Sequence, residues 1–317
     1  MEILDLDNIA EILRENKPSL SDSSIKSYVS SLRSLSRQIG KVLDTSDKYV
    51  KYQKLILDSM KDAKPSSRKT RIAGIVSILD TDENDKKKEY KDALNEYRKV
   101  MLDDVKTLKS KDASQQMSEK QKENYISWEQ VMEIYNTLKK DVAPLWNKYS
   151  WKSNEFYKLQ DFVLLSSYVL IPPRRSQDFT DLKIRNVNPQ KDNYIYKKND
   201  YRLIFNSFKN AKRIGSQGVI LPKALRDIYN KWSKIQKSDY MFSSYDGRKL
   251  TQQKLGFYLN RIFGGKKISS SMLRHIYLTE KFGDVNLKEL QDITHSIGNS
   301  NISRTLSYVD KEKADED

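Results

Sequence analysis

The sequence contains no cysteine. That excludes disulfides, thiol nucleophiles and thiolate metal sites. It has two histidines in 317 residues, too few imidazoles for an ordinary zinc centre. No apolar run approaches eighteen residues, so no membrane-spanning helix is expected. The opening Met1-Glu2-Ile3-Leu4-Asp5 is acidic and lacks the form of a signal peptide. These absences lead us to expect a soluble, intracellular chain.

What is present is charge and enough apolar material for real cores. Hydrophobic residues make up 37% of the chain, and mean hydropathy is -0.77, which argues against wholesale disorder. The length allows one large domain or two ordinary ones. The net charge is +15 and the pI about 9.5. Such a balance favours polyanions, either nucleic acid or an acidic membrane surface, although a lysine-rich proteome produces it too. The 19 tyrosines outnumber the 9 phenylalanines; tyrosine serves cores and wet binding faces alike.

The first third reads as helical. A short helix over 6–15 stops before Pro18. Ser21 and Asp22 can cap a second, in which Ile25, Tyr28, Val29, Leu32, Leu35 and Ile39 recur at helical spacing up to Gly40. Residues 46–60 predict another amphipathic helix. Pro65 opens the next, with Arg68, Lys69 and Arg71 in its first turns. Cations at a helix N-terminus oppose the helix dipole, so a phosphate partner rationalises them. Residues 80–85 read as an acidic loop and 86–108 as a further helix. Residues 109–124 have almost no apolar side chains and read as a linker.

The rest mixes helices with short strands. Ser127 and Gln130 form a capping-box pattern. The helix over 154–170 is nearly apolar late in its length and is expected to be central. Pro172-Pro173 interrupts, and a helix restarts near Arg175. Stretches 193–196, 202–205 and 218–221 alternate and are bounded by Asn, Asp and Gly, which predicts a small antiparallel sheet. Helices follow over 222–235, from Thr251 to Ile262, from Met272 to Phe282, from Leu287 to about Ser296, and from Ile302 to Tyr308. Ser270 or Ser271 is expected to begin the helix that carries Met272.

Three stretches carry a resemblance. Arg175-Ser176-Gln177-Asp178-Phe179-Thr180-Asp181-Leu182 has an arginine, an acidic residue three later and a leucine seven later. Met272-Leu273-Arg274-His275 ends Leu-Arg-His. Gly298-Asn299-Ser300 is followed by Thr305 and, ten residues after the glycine, by Tyr308. In this order they resemble the two arginine boxes and the final box of the tyrosine recombinases, the phage-type integrase family. Arg174 fits the first box less well and is the runner-up to Arg175. Lys209, with Lys212 as alternate, lies where the family has a lysine on a β-hairpin ahead of a strand ending Leu-Pro, here Leu221-Pro222. Two positions depart from the pattern: Ser271 stands where the family has a histidine, and Asn299 where it has a histidine or tryptophan. His275 and His295 are candidates to compensate in part.

The resemblance covers essentially the whole chain. It implies a mainly α fold with a small antiparallel β-sheet. A helical core-binding (SAM-like) domain would span 1–108, a linker 109–124, and a tyrosine-recombinase catalytic domain, of the DNA breaking-rejoining kind, 125–317. It further implies site-specific cleavage and rejoining of double-stranded DNA by a homotetramer assembled on two sites, with no membrane, no cofactor, no metal and no ATP. Tyr308 would be the nucleophile, Arg175 and Arg274 the ligands of the scissile phosphate, and Lys209 the general acid.

The residue types suit that chemistry. A tyrosine hydroxyl forms a stable phosphoester but needs help losing its proton. Guanidinium forks match phosphate oxygens. The plainer readings stay open beside these: surface arginines, a solvated lysine hairpin, a structural His275, helix caps at Ser271 and Asn299, and a core tyrosine at 308. So do a type IB topoisomerase, a recombinase-derived DNA-binding protein without catalysis, and a structural or RNA-binding protein.

Overall fold

A computed structural model of the chain describes residues 7–81, 83–113, 117–197, 201–281 and 293–298. The chain divides into two compact units, Met1–Ser114 and Gln115–Asp317.

The first unit is helical throughout: α1 (Asp7–Asn16), α2 (Asp22–Ile39), α3 (Ser46–Lys51), α4 (Gln53–Ser59), α5 (Pro65–Leu79) and α6 (Lys88–Ala113). The Ser24 amide donates to Ser21 Oγ and so caps α2, which ends at Gly40 in the left-handed region, φ 64°. The apolar stripe expected on α2 faces inward. Ile25, Leu32 and Leu35 join Ile9, Leu13, Ile72, Ile75 and Tyr97 in one core. Helices α2 and α5 approach closely at Gly74, where an added Cβ would lie 3.3 Å from Tyr28 Cβ.

Two expectations change here. The helix expected over 46–60 is two short helices, because Tyr52 leaves the helical region (φ -102°, ψ 16°). Arg68, expected to await a phosphate, is instead spent inside the unit. Its Nε and Nη2 donate to Asp104 Oδ2 and Oδ1 at 3.0 and 2.6 Å, and its Nη1 donates to the Lys61 carbonyl. Asp104 is 1% exposed, so its charge needs this partner.

Much of the 109–124 stretch is helical: α6 runs to Ala113, and α7 (Glu119–Asn124) starts on a Ser118–Gln121 capping box.

The second unit continues with α8 (Trp128–Val142), α9 (Ser153–Val169), α10 (Ser176–Thr180), β1 (Leu182–Lys183), β2 (Asn193–Tyr196), β3 (Arg202–Phe205), α11 (Ala211–Ile214), β4 (Gln217–Ile220), α12 (Lys223–Ile235), α13 (Gln252–Ile262) and α14 (Ser270–Lys281). Helix α9 is the central one, as its composition predicts. Leu159 to Tyr168 is buried without a break, and α8, α12 and α13 pack around it. Its two buried serines bond back within the helix: Ser166 Oγ donates to the Phe162 carbonyl and Ser167 Oγ to the Val163 carbonyl.

The sheet order is β1-β2-β3-β4. Strand β1 pairs parallel to β2, and the other pairs are antiparallel, so the sheet is mixed rather than purely antiparallel. The buried Asn193 side chain ties β2 to its surroundings, donating to the Asp178 carbonyl of α10 and to the Ser207 carbonyl after β3. Leu203 and Phe205 alternate inward from β3. Of the helix expected from Leu287, only residues 293–296 are described. Asn299, the 302–308 helix and Tyr308 lie outside the described residues.

Candidate active site

Pro172-Pro173 ends the central helix and delivers two consecutive arginines to the start of α10. Their fates differ. Arg174 is wholly buried. Its Nε donates to Asp178 Oδ2 at 2.8 Å, its Nη1 to the Ser296 carbonyl at 2.7 Å, and its Nη2 to Gln217 Oε1 at 3.1 Å. Its guanidinium also stacks over Phe205, 3.9 Å from the ring centroid. Arg175 occupies the N-cap position of α10 in extended conformation. It is half-buried, and its Nη1 donates to the Gly298 carbonyl at 3.1 Å.

The second arginine box lies on α14. Helix α14 begins at Ser270, as expected, and the Met272 amide donates to Ser269 Oγ at 3.2 Å, so Ser269 caps it. That leaves Ser271 Oγ to accept from Arg274 Nη2 at 2.9 Å. Arg274 is 3% exposed. Ser176 Oγ donates to Ser270 Oγ at 2.9 Å and ties α10 to α14. His275, half-buried, turns elsewhere: its Nε2 lies 3.4 Å from Gln121 Nε2 on α7.

Electrostatics join the two boxes. Burial pushes the Asp178 carboxyl up, and Arg174, Arg175 and Arg274 all pull it back. Burial likewise pushes the Arg174 guanidinium down, against the pull of Asp178. The 2.8 Å contact between them is that of an ionised pair. Three guanidiniums therefore bear on one carboxylate, and the surplus positive charge favours an anion. Tyr168, buried nearby, has its phenol pushed up by burial and stays protonated.

Lys209 and Lys212 are exposed on the β3–β4 connection, which folds through the one-turn helix α11. The loop is anchored at Asn210, whose Nδ2 donates to the Gly298 carbonyl at 3.0 Å. Gln217, at the start of β4, donates from Nε2 to the His295 carbonyl at 3.0 Å. The side chain of His295 itself is exposed.

The structure thus brings together Arg175, Arg274, the loop carrying Lys209, and the turn that leads into the final box. Ser271 stands beside Arg274. His275 is turned to α7. Asn299 and Tyr308 lie outside the described residues. Sequence reasoning missed Asn210, Gln217 and Ser269. Asn210 adjoins a singled-out lysine and Ser269 opens the serine run before Met272, but nothing in the local sequence marks Gln217. Among the described residues, no group of three or more His, Asp or Glu side chains is placed to hold a metal ion.

No protein-family model matches the chain, and no curated protein matches it in sequence. Solved structures do match. A lambda integrase fragment, crystallised as a dimer bound to a COC′ core site, is 13% identical with a TM-score of 0.52, covering 94% of this chain and 95% of that one. XerA recombinase is 13% identical with a TM-score of 0.44, covering 98% and 96%. A lambda integrase tetramer bound to a Holliday junction is 12% identical with a TM-score of 0.45, covering 96% and 76%. The fold of the chain is that of the lambda integrase fragment, the fold of the tyrosine recombinases.

Proposed function

We propose that the chain is a tyrosine-type site-specific DNA recombinase, cleaving and rejoining strands through a 3′-phosphotyrosine at Tyr308. The observation that supports this most is that α10, led by Arg175, is tied to α14, which carries Arg274, through the Ser176–Ser270 hydrogen bond, although the two segments are far apart in sequence. The donor forks of the two arginines would neutralise charge on the non-bridging oxygens of the attacked phosphate. Tyr308 Oη attacks phosphorus, the bond to the 5′ oxygen breaks, and Lys209 supplies the proton that oxygen needs. The energy of the broken bond is kept in the phosphotyrosine, and the 5′-hydroxyl of a second strand reverses the step. Duplex DNA is the partner, with a homotetramer on two sites as the working unit.

Neither Ser271 nor Asn299 can take the tyrosine's proton near neutrality, and His275 is engaged with Gln121. Cleavage should therefore quicken as pH rises toward the ordinary tyrosine range, about 10. Single-turnover rates across pH check this, and a flat profile from neutrality upward contradicts it.

The Ser271 position also favours a second reading, a recombinase-derived protein that binds DNA without cutting. Incubation with nicked suicide duplexes separates the two. A DNA-linked band that survives denaturant, and is absent in Tyr308→Phe and Arg175→Ala, supports the recombinase. Binding without any adduct supports the second reading.

A further inference from the structure

The last carbonyls of a helical turn have no partner within the turn. In the turn over 293–298 the Ser296 and Gly298 carbonyls are taken by side chains from two other places, and the His295 carbonyl, which accepts from the Gly298 amide, takes a side-chain donor as well. Arg174 Nη1 donates to the Ser296 carbonyl and Arg175 Nη1 to that of Gly298, both from the first arginine box. Asn210 Nδ2 donates to the Gly298 carbonyl and Gln217 Nε2 to that of His295, both from the β3–β4 region.

The grip has little slack. Gln217 is 3% exposed. Its Oε1 is claimed by Arg174 Nη2, a group that can only donate, so its Nε2 must face the His295 carbonyl. Gly298 has φ +70°, and a Cβ there would stand 3.1 Å from Arg174 Nη2. Ile297 is wholly buried against Leu278 of α14.

We infer that Asn210 and Gln217 are positioning residues for strand cleavage. They hold the turn ahead of Tyr308 against the β3–β4 connection, and that hold serves the nucleophile. The inference rests on the recombinase reading. It differs from it in assigning these two residues to the nucleophile's side of the reaction, although Asn210 adjoins the acid.

A duplex with sulfur in place of the bridging 5′ oxygen separates the two sides, because a thiolate departs without a proton. Lys209→Ala should form adduct slowly on the oxygen duplex and recover on the sulfur one. Asn210→Ala and Gln217→Ala should bind DNA as the parent does, yet form adduct roughly ten- to hundredfold slower on both duplexes. Recovery of these two on the sulfur duplex, or parent rates on the oxygen one, overturns the inference.

A second measurement does not depend on cleavage. The chain has no cysteine, so Ser296→Cys provides a single thiol in the clamped turn. A thiol reagent should modify it faster when Gln217→Ala is added, and an unchanged rate overturns the inference. A parent protein that binds DNA but cleaves neither duplex would sink the recombinase reading alone.

Discussion

A buried guanidinium needs a partner on every edge, and Arg174 finds them in Asp178, Gln217, Ser296 and the face of Phe205. Arg174→Met should therefore strand the Asp178 carboxylate and cost roughly 3–5 kcal/mol of stability. Urea denaturation measures this; a loss under ~1 kcal/mol contradicts the buried-pair account. Arg175→Ala should melt like the parent and form no adduct. Gly298→Ala meets both a left-handed φ and the Arg174 guanidinium, and should cost about 1–2 kcal/mol. A melting temperature equal to the parent's would show that the turn has more room than its geometry gives. Spacing to Asp178 and Leu182 was enough to prefer Arg175 over its neighbour as a candidate. What Arg174 does was illegible, because three of its four partners lie far away in sequence and become partners only through folding.

Helical periodicity was legible where one face meets a core. Ile25, Leu32 and Leu35 on α2 read correctly from spacing, and the central place of α9 from its apolar composition. The capping box at Ser127 was equally visible and forms: the Gln130 amide donates to Ser127 Oγ, and Gln130 Oε1 accepts from the Ser127 amide. The role of Arg68 was not legible, since its partner Asp104 sits on another helix. Asp104→Ala should cost roughly 3 kcal/mol by stranding that arginine, read as an earlier urea midpoint for the first unit.

The tie between α9 and α13 also has a pH signature. Asp161 accepts from Arg261 Nε and Nη2 at 2.9 and 2.6 Å. Burial nevertheless pushes its carboxyl up to about 6, against the pull of Arg261. The folded protein then keeps a proton that the unfolded chain, with its carboxyl near 3.8, has already released. Stability should fall as pH rises from about 4 to about 6 and level off above. Asp161→Asn should remove that slope, and an unchanged slope in the variant would rule Asp161 out as its source.

At the scale of the whole chain, under the proposed function a net charge of +15 would make phosphate contact the dominant, sequence-independent part of DNA affinity. The logarithm of affinity should fall linearly with the logarithm of salt concentration. A salt-independent affinity would remove DNA as the polyanion this charge serves. Charge and composition led to the expectation of a polyanion, and the ordered boxes pointed to the fold. Neither could show the clamp on residues 295–298, which exists only once the arginine box, the β3–β4 connection and the final turn are brought together.

The most direct test of the central claim is to trap the adduct on a suicide duplex, digest the DNA and the protein, and find the modified peptide by mass spectrometry. The account predicts a nucleotide linked through its 3′ phosphate to Tyr308, and no adduct in Tyr308→Phe. A nucleotide on another residue, or DNA bound with none attached, would contradict it.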